Sequence, residues 1–228
     1  MTKHKKLKRF PKIKIFNQYI FNASFDFSLI LFYNDCGSFI IKYYGGNIMN
    51  QMTSDNLRSA FGGESQARTR YNIWGDCAEK DGFKNVRRLF DATSDAEKIH
   101  ATLHFKAMKD VSGDFAVTSM AGFGINSTSE NLEAARGGEI FESTQMYPAF
   151  IAVAEMQGEK EAVKAMRFAT AAEEVHAKRF ATAKEAVDAG KDLDVENIYL
   201  CPVCGYISFE EEDKCPICGC AGSKFVAY

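Results

Sequence analysis

Ala172-Glu173-Glu174-Val175-His176, read together with the earlier stretch Glu97-Lys98-Ile99-His100, decides the fold of this chain. A carboxylate and an imidazole three residues apart lie on one face of a helix, so each stretch presents two donor groups to a single point. Both sit in helical apolar patterns, with Val86, Leu89, Phe90 and Thr93 ahead of Glu97, and Val163, Met166 and Ala169 ahead of Glu173. A carboxylate on an apolar face is costly unless a cation meets it. Working outward, Glu64 lies among Leu57, Ala60, Phe61, Ala67 and Tyr71, and Glu139 with Glu142 falls in a further helical stretch ending at Tyr147. Two helices with Glu-x-x-His and two with Glu form the pattern of a bundle that holds two metal ions through carboxylates. Salt-bridged surface helices explain any one pair as well; two pairs and two further carboxylates in the right order favour the metal.

The first helix is expected from about Asp55, capped by Thr53, Ser54 or Asp55, to Lys80-Asp81-Gly82, and the second from about Phe83 to Lys109. Residues 111–128 lack a helical pattern, and a connection that long reads as a crossover, which distinguishes a ferritin-like bundle from a simple up-and-down one. A third helix starts near Ser129 and should kink or lose a hydrogen bond at Pro148. Gly158 separates it from a fourth at 159–189. His104, one turn past His100, is expected at a bundle end, outside the site.

Beyond a polar linker, 190–197, the remaining residues are too few for a core of their own and need a metal. Cys201-Pro-Val-Cys204 and Cys215-Pro-Ile-Cys218 supply it: two knuckles of thiolates fill a tetrahedral iron or zinc site. Cys36, Cys77 and Cys220 are left over. Such cysteine usage fits a reducing cytoplasm.

Bulk properties narrow the rest. The 228 residues are 46% hydrophobic, enough for one domain and a small appendage. The net charge of −2 conceals a basic first 48 residues, followed by an acidic body that does not suit nucleic acid. That first segment contains no Glu and no sustained helical period. Asp26 interrupts its apolar stretch, which argues against a targeting signal, and no apolar run is long enough for a membrane span. We read residues 1–51 as an atypical extension, disordered or preceding the true start at Met49 or Met52. Gly122-Phe123-Gly124 is too short for a dinucleotide fingerprint, so the chain is not its own NAD(P)H reductase.

The body, 52–228, resembles rubrerythrins. Gly63-Glu64-Ser65-Gln66-Ala67-Arg68 with Arg70-Tyr71 is similar to the family's first-helix signature, Gly138-Glu139 with Glu142 and Met146-Tyr147-Pro148 to its third, and Ala172–His176 to its fourth. The tail resembles rubredoxin, with ten residues between the knuckles. The resemblance implies a mainly α protein: a ferritin-like four-helix bundle with a long crossover at 52–189 and a small rubredoxin-like domain at 198–228. It implies two non-haem irons held by Glu64, Glu97, His100, Glu139, Glu142, Glu173 and His176, with Glu97 and Glu173 bridging. Glu142 and His100 would exchange on one iron, and Tyr71 and Tyr147 would orient ligand carboxylates and peroxide. Cys201, Cys204, Cys215 and Cys218 would hold a third iron, with zinc an alternative. The implied activity is reduction of hydrogen peroxide to water in oxidative-stress defence. Electrons would come from rubredoxin or an NAD(P)H-dependent reductase, and the thiolate iron would lie beside a partner's di-iron centre in a homodimer or larger oligomer. Ferroxidase or iron storage, a di-iron oxygenase, and a zinc-ribbon interaction protein are the alternatives.

Overall fold

The computed structural model describes residues 28–33, 39–44 and 49–228. Ser28–Tyr33 (β1) and Phe39–Tyr44 (β2) pair antiparallel, with Leu31 opposite Ile41, where the sequence reading had placed no ordered structure. Residues 1–27, 34–38 (including Cys36) and 45–48 lie outside the described residues.

From Gln51 the chain is helical: α1 Gln51–Lys80, α2 Lys84–Ala107, α3 Thr128–Phe141, α4 Tyr147–Gln157 and α5 Lys160–Asp188. Among the described residues, no helix is long and apolar enough to cross a membrane. The first helix begins four residues before the expected Asp55, with Asn50 in the cap position. Asn50 N–H instead donates to Glu159 Oε1 (2.8 Å), tying this end to the α4–α5 turn. The crossover, 108–127, ends in a capping box: Ser127 receives the Glu130 amide, and Glu130 receives the Ser127 amide (3.0 Å). The cap is therefore Ser127, two residues ahead of the Ser129 read from sequence.

Pro148 does not kink its own position. The irregularity falls one turn earlier, where Glu142–Met146 form a π-helical turn and Tyr147 N–H reaches back to Glu142 O. Pro148 is then the start of a new helix, where its missing N–H costs nothing. The extra residue has a geometric effect. Tyr147, eight residues after Glu139, would sit roughly 80° off its face on an unbroken α-helix; absorbing one residue reduces this to about 20°. Tyr71 is seven residues after Glu64 on unbroken α1. The π turn thus lets Tyr147 match Tyr71 across the bundle.

One core cluster joins Tyr71, Trp74, Leu89, Phe90, Leu132 and Phe180 with Ile198, Leu200 and Ile207 from the tail. The tail therefore packs into the core of its own bundle. It contains Tyr199–Leu200 (β3), Ile207–Ser208 (β4) and Val226–Ala227 (β5), in the order β4-β3-β5, all antiparallel. Polar ties hold it there: Asp192 accepts the Asn85 amide (2.8 Å), Arg88 donates to Glu196 O (2.8 Å), and Tyr228 donates to Asp95 (2.6 Å).

Candidate metal centres

Glu64, Glu97, His100, Glu139, Glu173 and His176 are all fully buried. They form two overlapping groups of potential donors: Glu64, Glu97, His100 and Glu173, and Glu97, Glu139, Glu173 and His176. Each group gathers within 4.8 Å, and the shared members are Glu97 and Glu173, the pair read as bridging from the resemblance. Four carboxylates balance the charge of two divalent ions.

The hydrogen bonds test whether metal fits. His100 Nε2 donates to Cys204 O (3.0 Å) and His176 Nε2 to Gly205 O (2.8 Å). With those protons on Nε2, each Nδ1 offers a lone pair, and each Nδ1 faces Glu173, at 2.6 Å for His100 and 2.7 Å for His176. Neither approach is aligned as a hydrogen bond, and both Glu173 oxygens, Glu97 Oε1, Glu139 Oε2, Glu64 Oε2 and His176 Nδ1 have no partner. Converging lone pairs at this separation repel unless a cation stands among them. The donor set, hard oxygens with one imidazole per ion, suits iron.

Without metal, protons take that role. Burial, reinforced by the charges of Glu173, Glu64 and Glu139, pushes Glu97 well above the usual carboxylate range. Burial also raises Glu173, against the opposing charge of His100. Burial would lower His100, but the charge of Glu173 prevails and raises it. Glu64 runs the other way: burial would raise it, but hydrogen bonding to His104 and Glu97 brings it down to about 2. A carboxyl or imidazole whose folded pKa is raised binds more protons folded than unfolded, so its contribution is lost as pH rises through the folded value. Metal-free protein is therefore expected to lose ~5 °C or more of thermal midpoint between pH 5.5 and 8, and metal-loaded protein far less. Calorimetry of both forms checks this; an apo midpoint that climbs with pH would contradict it.

Glu142, expected as a seventh ligand, stands outside both groups and is half-buried at the start of the π turn. Burial and the charges of Glu64 and Glu139 raise its pKa well above the usual carboxylate range. Tyr71 donates to Glu139 and Tyr147 to Glu64, and burial raises both phenols so that they stay protonated. His104 lies in the last turn of α2 and outside both donor groups, yet it is fully buried, with Nε2 2.8 Å from the Tyr147 hydroxyl and 3.6 Å from Glu64 Oε1. The unbroken step of four from His100 was the available signal.

In the tail, Cys201, Cys204, Cys215 and Cys218 form a third group within 4.8 Å. Sγ–Sγ distances of 3.5 Å, for Cys201–Cys218 and Cys204–Cys215, are too long for disulfides and near the edge of a tetrahedron around one ion, about 3.8 Å. Cys220 is outside the group. A hydrogen bond from Cys204 holds the Cys201 thiol down at about 5. Each knuckle closes on a left-handed glycine, Gly205 (φ 79°) or Gly219 (φ 76°), whose N–H returns to Cys201 O or Cys215 O. Gly205 is doubly constrained, because a Cβ there would collide with His100 Nε2. Gly205→Ala is expected to cost about 1–3 kcal/mol and to part the knuckle from His100, measurable as a lower thermal midpoint.

A family model described as Rubrerythrin matches residues 55–184. Rubrerythrin-2 of Clostridium acetobutylicum is 43% identical over 183 residues, 80% of this chain and all of that protein.

The chain belongs to the rubrerythrin family.

Nigerythrin of Nitratidesulfovibrio vulgaris is 37% identical, over 77% of this chain and 86% of its own. A solved structure of nigerythrin in its fully reduced, all-ferrous state superposes with a TM-score of 0.70 at 35% identity, covering 81% of this chain and 91% of that one. The architecture is thus ferritin-like with a rubredoxin-like tail, and the Glu/His and four-cysteine groups are the rubrerythrin di-iron and thiolate metal sites. As a rubrerythrin, the chain is a di-iron oxidoreductase of the oxidative-stress type. Within this chain the thiolate tail lies against the histidines of the bundle.

Proposed function

We propose that this protein is a peroxidase that reduces hydrogen peroxide to water, with electrons entering through the Cys201/Cys204/Cys215/Cys218 site. The observation that carries this reading is the pair of hydrogen bonds from His100 and His176 to the Cys204 and Gly205 carbonyls. A ferroxidase or store has no use for a thiolate site joined to both imidazoles.

The domains in this reading are 52–189 for the bundle, 190–197 for the linker and 198–228 for the tail. Glu64, Glu97, His100 and Glu173 hold one iron; Glu97, Glu139, Glu173 and His176 hold the other. When bound and ferrous, the pair would supply two electrons for O–O cleavage, and Cys201, Cys204, Cys215 and Cys218 would hold the iron through which they are replaced. Glu142 has two tasks. Its carboxyl carries a proton beside Glu64 and Glu139, available to a leaving oxygen. After giving up that proton it would be an anionic alternative to His100 as a ligand; His100, and not Glu142, belongs to the donor group with Glu64. Tyr71 and Tyr147 keep Glu139 and Glu64 oriented through their hydroxyl protons. The donor is rubredoxin or an NAD(P)H-dependent reductase, the compartment the cytoplasm, and the assembly a homodimer or larger.

The test is a stopped-flow mix of anaerobically reduced, iron-loaded protein with one equivalent of hydrogen peroxide per di-iron site. Return of the iron–thiolate colour, at peroxide-limited yield and much faster than with oxygen, is expected. A preference for oxygen with mineral accumulating would make the protein a ferroxidase.

A further inference from the structure

The two halves of the carboxylate site repeat each other with one substitution that the ligand set does not require. Glu97, His100 and His104 on α2 have the same spacing as Glu173, His176 and Phe180 on α5. Each final residue packs against a tyrosine: Phe180 against Tyr71 (centroids 5.4 Å apart) and His104 against Tyr147 (5.6 Å). Each tyrosine donates to the carboxylate on the opposite helix, Tyr71 to Glu139 and Tyr147 to Glu64. The halves therefore match in the carboxylate and the phenol and differ in what lies behind the phenol, a hydrocarbon ring in one and an imidazole in the other.

The hydrogen-bond direction follows from proton counting. Tyr147 has one hydroxyl proton, which goes to Glu64. Its oxygen can then only accept from His104 Nε2, 2.8 Å away, so that nitrogen carries a proton, and Nδ1 is buried without a partner. His104, Tyr147 and Glu64 form a one-way chain of donors ending on a ligand. The Glu139 side ends at Tyr71, because Phe180 has nothing to donate.

We propose that His104 is a positioning residue that acts through Tyr147 to fix Glu64, making the Glu64 half of the centre bind metal differently from the Glu139 half. The inference rests on the di-iron reading of the site. A fixed, directed donor chain restricts the carboxylate to its ligating orientation, and loss of such outer partners typically weakens metal binding 10–100-fold.

The test is anaerobic Co(II) titration of the full-length, metal-free protein, with chelator competition resolving the two bundle steps and the thiolate site followed separately by its charge-transfer band. His104→Phe, which installs the residue of the opposite half, is expected to change one bundle constant by about 10–100-fold and leave the other within about threefold. His104→Gln, which keeps an N–H donor, restores most of the loss. In a Tyr147→Phe background, His104→Phe adds nothing, since the chain is already cut. Circular dichroism identifies misfolding, in which case the Gln variant and its cycle with Tyr147→Phe decide alone. Additive effects in the cycle, or equal weakening of both steps, would overturn the positioning role. Failure of the parent protein to take up two bundle ions would instead overturn the site reading beneath it.

Discussion

Cys204→Ser is expected to abolish sustained peroxide turnover with a protein donor, by at least ~100-fold, while fully reduced protein still consumes one equivalent of peroxide per di-iron site. The residue contributes two groups. Its sulfur is one of four donors gathered within 4.8 Å, and its carbonyl accepts from His100. Serine leaves the carbonyl in place but removes a soft thiolate, so the tail loses its redox metal while the bundle keeps its ligands. Steady-state consumption with a reductase-coupled donor measures the first effect, and single-turnover stopped flow the second. Undiminished multiple turnover would show that electrons enter the bundle directly, and the tail would then be structural.

The second large effect is at Glu142. Glu142→Ala is expected to slow turnover about 10–100-fold while the bundle retains close to two irons. Retention follows because the six grouped donors do not include it. The loss follows because its raised pKa and its place beside Glu64 and Glu139 make it both a proton source and the incoming anionic ligand. Glu142→Gln separates these roles from size, since an amide fills the space but neither ionises nor gives up a proton readily. Metal analysis beside peroxide kinetics decides the point: iron lost in proportion to rate would make Glu142 an ordinary ligand, and full activity would dismiss both tasks.

Most of the site was legible because helical periodicity transmits geometry directly. Glu97/His100 and Glu173/His176 need only the three-residue step to converge, and Cys-x-x-Cys needs only a turn. The crossover was legible from the missing pattern after Asp110. Three features were not. The π turn at 142–146 depends on where a helix relieves the break at Pro148, and sequence marks the proline rather than the turn before it. The burial of His104 depends on a tyrosine from α4 whose rotation that turn sets. The docking of the tail depends on Ile198, Leu200 and Ile207 finding the core around Phe90, a long-range contact with no local period.

The tail's contact with its own bundle gives the protein a kinetic order. A thiolate site hydrogen-bonded through its backbone to His100 and His176, and tethered to the bundle by the short linker 190–197, is held at an effective concentration on the order of millimolar. Under the proposed relay, passage of an electron from tail to bundle is a first-order event, indifferent to dilution, whereas loading of the tail by an external donor is second-order. As protein and donor become scarce, the bottleneck moves to that outer encounter, and the exposed side of the knuckles becomes the place where throughput is set.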